Sequence, residues 1–236
     1  MDAAPPDPGS RPSLDVATFA RMVDHTLLKP EATREQILAV CDEALELATA
    51  SVCVNGLWVA TVAERLASSE VRTCSVVGFP LGATSPAALA AETAAAVADG
   101  AREIDMVIPV GMLRSGDDAG VVRHVQTVRA EAPGLVVKAI LESAVLDGGE
   151  LRRACELSVD AGADFVKTST GFNPAGGATQ AAVALMRATV GPAIGVKASG
   201  GIRTLDDVQQ MLAAGASRLG MSATTEVADA IRAAQA

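Results

Sequence analysis

Short apolar runs alternate with longer amphipathic segments along most of this chain. The short runs are rich in valine and isoleucine, as buried strands are. The longer segments repeat their apolar residues three or four positions apart, which is typical of helices that bury one face. The segment from Thr33 to Leu47 is a clear example. The pattern therefore predicts strands and helices in alternation.

The predicted strands begin near residues 24, 51, 72, 103, 136, 164, 194 and 218, and a helix follows each of them. A further helix is predicted from Leu14 to Val23, before the first strand. Alternation of this kind indicates parallel βαβ units. Eight such units in 236 residues predict a single-domain α/β protein with the (β/α)8 TIM barrel fold over residues 14–236. A doubly wound open sheet is the alternative, but the loop after the first strand lacks the glycine-rich sequence of that fold.

Composition narrows the class of protein. Half of the residues are hydrophobic and only 2% are aromatic, so the core must be built from Ala, Val, Leu and Ile. The net charge of −9 argues against nucleic-acid binding, because phosphates require a basic surface. The first 13 residues have no apolar stretch typical of a signal peptide, and we expect them to be a disordered lead-in. No apolar run is long enough to span a membrane.

The four cysteines show no metal-binding spacing and are interpreted as small core residues in a reducing compartment. Together with the absence of a signal peptide and of a membrane span, this predicts a soluble, cytoplasmic protein.

Lysine is rare in this chain, and its placement is unusual. Of 19 basic residues only Lys29, Lys138, Lys167 and Lys197 are lysines, and the last three lie inside predicted strands. A buried ammonium is costly unless it is paired or loses its proton. Unlike arginine, lysine can lose its proton in a dry pocket and act as a nucleophile. Buried ion pairs with Asp105, Glu103 and Glu142 are one interpretation, but three lysines on successive strands favour an active site.

Residues on barrel strands point alternately to the interior and to the helices. The apolar flanks of strands four to seven therefore direct Asp105, Lys138, Lys167 and Lys197 inward. Lys167 is then expected between Lys138 and Lys197, two cations that favour the neutral form of its amine. Asp105, one strand further on, can hold a lysine charged or relay a proton. A neutral amine beside a cation and a carboxylate predicts Schiff-base chemistry on a carbonyl compound.

Three loops after the last strands are rich in glycine and hydroxyl groups: Thr170-Gly171, Ser199-Gly200-Gly201 and Gly220-Met221-Ser222. Glycine lets backbone N–H groups approach an anion closely, and each loop is followed by a helix. In (β/α)8 barrels, phosphate commonly binds near the loops after strands seven and eight. These loops therefore predict a phosphate site beside the lysines.

Five motifs together resemble the 2-deoxyribose-5-phosphate aldolase family. They are DHTLLKP at 24–30, VGFPLG at 77–82, EIDMVI at 103–108, FVKTSTGF at 165–172 and VKASGGIR at 196–203. The resemblance runs from about Phe19 to Ser222. It implies a class I aldolase, without metal or cofactor, that reversibly cleaves 2-deoxy-D-ribose 5-phosphate to acetaldehyde and D-glyceraldehyde 3-phosphate. It also implies a homo-oligomer, with a dimer favoured.

The resemblance also assigns roles to residues. Lys167 would form the Schiff base, Lys197 would favour its neutral amine, and Asp105 would relay a proton. Lys138 would support this cluster. The substrate's hydroxyl and phosphate groups would be held by Asp24, Thr170, Gly171, Gly200, Gly201, Gly220 and Ser222.

The chain departs from the family pattern in two places. Ala223 follows Ser222 where some members have a second serine, and the chain has no tyrosine, although some members end in a catalytic one. Phe172 is also notable, because an apolar side chain at the phosphate rim adds no charge.

Other interpretations remain open at this point. A different lysine-dependent aldolase or a phosphosugar isomerase would suit the same barrel, and so would a barrel without activity that serves in binding. Glu142 and Asp105 could form a divalent-metal pair, but three nearby lysines would repel the ion. His25 is expected to face the helices in a structural role, and His124 to be solvated on a polar helix.

Overall fold

Eight parallel strands close into a barrel in the order β1 to β8, each paired with its sequence neighbours and β8 paired with β1. The computed structural model describes residues 14–235, so the expected disordered lead-in at 1–13 lies outside the described residues. The strands are β1 Val23–Leu27, β2 Ser51–Val54, β3 Arg72–Val77, β4 Glu103–Val107, β5 Val136–Ile140, β6 Phe165–Lys167, β7 Gly195–Ser199 and β8 Arg218–Met221. The predicted (β/α)8 TIM barrel is confirmed.

The helices surround the sheet. They are α1 Val16–Ala20, α2 Arg34–Leu47, α3 Val59–Leu66, α4 Pro86–Ala98, α5 Val110–Arg114, α6 Asp118–Glu131, α7 Gly148–Asp160, α8 Gln180–Val190, α9 Leu205–Ala213 and α10 Thr224–Gln235. Short 3-10 turns at Gly56–Trp58 and Ser143–Val145 follow β2 and β5. Side-chain caps explain several starts: Thr33 and Asp147 each form a reciprocal capping box.

One helix prediction differs from the structure, and one helix was not predicted. The helix predicted from Leu14 to Val23 is confined to Val16–Ala20, because Val23 begins β1 and pairs with Leu219 of β8. The five-residue helix α5 was not predicted, since Pro109 precedes it and so few residues show no helical period. None of the helices in residues 14–235 is long and apolar enough to cross a membrane.

The apolar core lies mainly between the sheet and the helices. It is built from small aliphatic side chains, with Phe19 as its one fully buried aromatic residue in the described part of the chain. The barrel interior is different, because only one side of it is apolar. That side is formed by Leu28, Cys53, Cys74 and Val76. The other side is filled by charged residues, which form the site described below.

Both histidines are buried. The ring of His25 lies between β1 and two helices, with Nδ1 2.7 Å from Thr224 Oγ1 and Nε2 2.9 Å from Glu43 Oε2. It faces the helices, as predicted. The prediction that His124 is solvated was wrong. Its side chain packs between α6 and the start of α4, with Nδ1 3.0 Å from the Gly120 carbonyl and Nε2 3.2 Å from the Thr84 carbonyl.

Candidate active site

Strand register sets the heights of the three interior lysines. Lys167 is level with Lys197 on β7 but with Ile140 on β5. Lys138 is level with Phe165, two residues closer to the amino-terminal end of the barrel. Lys197 thus lies beside Lys167 at the same height, whereas Lys138 lies lower on the other side. The strands of a closed barrel are staggered, and this stagger moves Lys138 to a lower layer.

The carboxylate of Asp105 joins all three lysines. Its Oδ2 atom accepts from Lys167 Nζ at 2.8 Å and from Lys197 Nζ at 2.6 Å. Its Oδ1 atom accepts from Lys138 Nζ at 2.7 Å. Asp105 therefore lies at the centre of the cluster, closer to Lys167 than the sequence alone predicted.

A second layer of charge lies beneath Asp105. Lys138 Nζ is 2.6 Å from Glu103 Oε2 and 3.4 Å from Asp24 Oδ2, and Asp24 also contacts Lys197. Arg218 reaches up from the amino-terminal side, with Nη1 3.2 Å from Asp24 Oδ1. The buried ion pairs expected with Asp105 and Glu103 are thus present at Lys138. The one expected with Glu142 is not found among residues 14–235, where the Glu142 carboxylate contacts Thr170 instead.

Burial and charge act in opposite directions on these groups, and charge prevails. Burial alone would raise the pKa of Asp105, but Lys138, Lys167 and Lys197 hold that pKa well below its usual range. Burial likewise opposes the charged form of Asp24, yet Lys138, Lys197 and Arg218 lower its pKa. Burial would lower the pKa of Lys197, but Asp105 and Asp24 raise it. The two carboxylates and Lys197 are therefore charged at neutral pH.

A cavity of about 220 Å³ opens above this cluster, at the ends of the strands where the βα loops begin. Among its wall residues are Lys167, Thr170, Gly171, Gly200, Gly201, Gly220 and Ser222. The structure thus brings seven of the predicted site residues to one cavity. Asp105, Lys138, Lys197 and Asp24 are fully buried and do not line it. Lys167 is the connection between the buried charges and the cavity.

Glycine is required where the loops meet. Gly171, Gly200 and Gly201 have φ values of 83°, 85° and 85°, in the left-handed region that side chains disfavour. A Cβ atom on Gly177 would lie 2.1 Å from the Gly200 carbonyl oxygen, so these two loops pack backbone against backbone. The arrangement leaves one wall of the cavity lined by main chain, which can approach an anion closely.

Two basic residues at this cavity were not singled out from the sequence. Lys29, just after β1, and Arg203, after the paired glycines, both line it and are exposed. Lys29 is the next-to-last residue of the motif DHTLLKP and Arg203 is the last residue of VKASGGIR, so both could have been found from those motifs. Phe172 is 48% exposed on the same wall and stacks edge to face on Phe79, with ring centres 5.2 Å apart. The positive charge that Phe172 lacks is thus supplied from other loops.

Cys74 was predicted to be a small core residue; it is buried, but its thiol also belongs to the charged cluster. Cys74 Sγ is 3.3 Å from Asp105 Oδ1 and 3.4 Å from Lys138 Nζ, and Cys53 lies beside it on β2. Cys53, Cys74 and Asp105 place potential metal-ligand atoms within 4.8 Å of one another. The Asp105 oxygens are already in contact with three lysines, which disfavours a cation there. Cys41 and Cys155 are ordinary core residues, and burial raises their pKa values to about 11 and about 12.

This combination defines a class of protein: a (β/α)8 barrel enzyme that presents one lysine of a buried lysine–carboxylate cluster to a cavity walled by glycine loops. Comparison with known proteins is more specific. Residues 18–224 match the model of the DeoC/LacD family aldolase, and the chain belongs to that family. It is an aldolase and therefore a lyase.

Individual relatives cover most of both chains. A deoxyribose-phosphate aldolase of Listeria monocytogenes serotype 4a is 55% identical over 207 residues, which is 87% of this chain and 92% of the relative. One of Bacillus cereus is 54% identical over 210 residues, 89% of this chain and 94% of the relative. The solved tetrameric deoxyribose phosphate aldolase from Aeropyrum pernix superposes with a TM-score of 0.87 at 31% identity, covering 93% of each chain.

Proposed function

We propose that this protein cleaves 2-deoxy-D-ribose 5-phosphate reversibly to acetaldehyde and D-glyceraldehyde 3-phosphate, through an imine on Lys167. The names of the curated relatives support the substrate. One structural observation carries the assignment of the nucleophile. Of the three lysines inside the barrel, only Lys167 lines the cavity, and Lys138 and Lys197 are fully buried.

The proposed reaction begins when the neutral Lys167 amine attacks the aldehyde carbon of the open-chain sugar and loses water to form the imine. The C3 hydroxyl then gives up its proton, the bond between C2 and C3 breaks, and its electron pair passes into an enamine. D-glyceraldehyde 3-phosphate leaves. Protonation of the enamine carbon and addition of water release acetaldehyde and restore Lys167.

Asp105 is the proposed proton relay. Its Oδ2 atom contacts both Lys167 and Lys197, so a proton can pass near the reacting nitrogen without crossing bulk solvent. Lys197 stays charged because Asp105 and Asp24 raise its pKa despite burial. We propose that this fixed ammonium, which shares Asp105 Oδ2 with Lys167, makes Lys167 the more reactive nucleophile.

The phosphate group is proposed to lie against the loops after β6, β7 and β8. Gly171, Gly200 and Gly201 would offer main-chain N–H groups, and Ser222 a hydroxyl. Lys29 and Arg203 add positive charge at the same cavity. Asp24 was expected to hold a substrate hydroxyl. Its carboxylate lies below the cavity and is engaged by Lys197 and Arg218, so that role stays a prediction.

The assembly and location of the protein also remain proposals. The resemblance favours a homodimer, whereas the relative from Aeropyrum pernix is described as a tetramer. We propose a homo-oligomer in the cytoplasm, acting on phosphosugar and aldehyde substrates.

Trapping the imine tests the proposed nucleophile. Sodium borohydride added with acetaldehyde should reduce the imine, abolish activity and leave an N-ethyl group on Lys167, located by peptide mapping. Borohydride alone should leave the enzyme active, and Lys167→Arg should be inactive and unlabelled because a guanidinium does not deprotonate. A label on Lys138 or Lys197 would contradict the assignment. A phosphosugar isomerase would form no imine with any aldehyde.

A further inference from the structure

Glu142 has a backbone conformation that is rare for its residue type. It follows β5 with φ 57° and ψ 52°, in the left-handed region, and is one of two residues other than glycine with positive φ in the described part of the chain. The N–H groups on either side of it remain in the β5–β6 ladder: Leu141 donates to the Lys167 carbonyl at 2.9 Å and Ser143 to the Thr168 carbonyl at 2.8 Å. Such strain persists only where the surroundings impose it, and it is concentrated at functional sites.

The strained turn directs the Glu142 carboxylate onto a single residue of the cavity wall. Oε2 accepts from the Thr170 hydroxyl at 2.6 Å, and Oε1 accepts from the Thr170 N–H at 3.2 Å. Glu142 is only 4% exposed, and among residues 14–235 no basic nitrogen lies within ion-pairing distance of it. Burial of a carboxylate without a cation is costly, so this contact with Thr170 calls for an explanation beyond packing.

The Thr170 hydroxyl has one proton and two lone pairs. Its proton is committed to Glu142, and one lone pair accepts from the Phe172 N–H at 3.1 Å. One lone pair is left, and Thr170 lines the same cavity as Lys167. Towards a ligand this hydroxyl can therefore accept a hydrogen bond but cannot donate one. A hydroxyl group of the substrate fits that requirement, whereas a phosphate oxygen, which needs a donor, does not.

We propose that Glu142 is a positioning residue of the aldolase site: it fixes the turn from Thr170 to Phe172 and makes the Thr170 hydroxyl an acceptor for a substrate hydroxyl. The proposal rests on the proposed aldolase function and makes it more specific. It also removes the Thr170 side chain from the set of phosphate ligands and leaves the phosphate to the glycine loops and their basic neighbours.

Glu142→Gln is the direct test, because it keeps the shape and reverses one hydrogen bond. If the amide oxygen accepts from the Thr170 N–H, the amide NH2 must donate to the Thr170 hydroxyl, which then turns its own proton away. We expect KM for 2-deoxy-D-ribose 5-phosphate to rise at least tenfold. KM for unphosphorylated 2-deoxyribose should rise by the same factor, because the lost contact is to a hydroxyl. An effect confined to the phosphorylated sugar would overturn the proposal.

Acetaldehyde separates this inference from the proposed function, since it has no hydroxyl group. Borohydride trapping of acetaldehyde should proceed in Glu142→Gln within about twofold of the parent rate. Loss of trapping in Glu142→Gln alone would show a general structural role and overturn the inference. Loss of trapping in the parent would instead refute the imine mechanism. Glu156→Gln, an exposed glutamate on α7, is the matched control and should leave all three measurements unchanged.

Thr170 variants keep the proposal testable if Glu142→Gln folds poorly. Thr170→Ser retains the hydroxyl and should keep KM within about twofold of the parent. Thr170→Val removes it and should reproduce the tenfold rise. Because both residues act through one hydrogen bond, adding Glu142→Gln to Thr170→Val should raise KM no further. A full additional tenfold loss in the double variant would contradict a shared role.

Discussion

Asp105 is the residue on which the charges of the site depend. One carboxylate accepts hydrogen bonds from three lysines, and they hold its pKa well below its usual range although burial opposes the charged form. Its ionised form is therefore the resting state at neutral pH. Lys197 has the complementary role, since its ammonium contacts the same oxygen as Lys167. The two residues are adjacent in space, but their loss should have different kinetic consequences.

Lys197→Leu and Asp105→Asn should give different pH–rate profiles. Removing the Lys197 ammonium relieves its repulsion of a proton on Lys167, so activity should fall steeply and partly recover as the pH is raised. Asp105→Asn removes the proton relay, and the loss, about 10²- to 10⁴-fold, should persist at high pH although acetaldehyde is still trapped. Asp105→Asn should also destabilise the protein by about 3–5 kcal/mol, because buried ammonium groups lose their partner. If Lys197→Leu keeps the pH–rate profile of the parent, Lys197 does not control the protonation of the nucleophile Lys167.

The residues of this cluster were predictable in identity but not in position. Lys138, Lys167 and Lys197 were recognisable because lysine is rare here and because strand alternation places them inward. Their heights depend on the stagger between strands, which closure of the whole barrel determines. Arg218 was missed for a related reason: its partners Asp24 and Glu103 are far away in sequence and meet it only in the closed barrel.

At the scale of elements, the long periodic helices and strands were predictable and the short or irregular ones were not. The five residues of α5 are too few to show a period, and the left-handed turn at Glu142 has no glycine to indicate it. The burial of His124 depends on the contact between α6 and the loop before α4, whereas its neighbours in sequence are polar. These features depend on short segments or on contacts between elements, neither of which the local sequence pattern reveals.

The start of α10 gives a test of the phosphate loop after β8. The carbonyl of Ala223 accepts from the Val227 N–H at 3.2 Å, so Ala223 occupies the N-cap position, where alanine is a poor capping residue. Ala223→Ser should therefore stabilise the protein by about 1 kcal/mol. Its hydroxyl proton should also widen the preference for 2-deoxy-D-ribose 5-phosphate over 2-deoxyribose, which we expect to be at least tenfold in kcat/KM in the parent, or about 1.4 kcal/mol.

Ala223→Gly is the matched control for this change. Glycine caps nearly as well as serine but has no hydroxyl, so it should raise stability without altering the preference between the two sugars. The measurements are thermal unfolding and kcat/KM on each sugar. Equal efficiency on both sugars in the parent would rule out a working phosphate site.

At the scale of the whole molecule, the buried charges inside the barrel contribute a stability that does not change with pH over a wide range. The pKa values of Asp24 and Asp105 are lowered from 3.8, so their contribution is complete above that pH and is lost only in stronger acid. The pKa values of Lys138 and Lys197 are raised from 10.5, so the contribution of these two lysines to stability is complete below that pH. Between pH 5 and 9 these charged groups inside the barrel should not titrate, and the site should stay assembled.

His25 is the buried group that we expect to impose a pH dependence within that range. It ties β1 to α2 and α10, and burial lowers its pKa from 6.5 although Glu43 and Glu226 favour the charged form. The unfolded chain therefore binds the proton more readily than the folded one. The stability contributed by neutral His25 is fully present above pH 6.5 and is lost as the pH falls through the lower pKa of the folded state.

His25→Gln should reduce this loss of stability in mild acid while retaining a donor for Glu43. The measurement is the free energy of unfolding from pH 5 to 8, compared between parent and variant. His124 is present in both proteins, so the difference between the two curves belongs to His25. Identical pH slopes in the two proteins would show that protonation of His25 does not limit stability in mild acid.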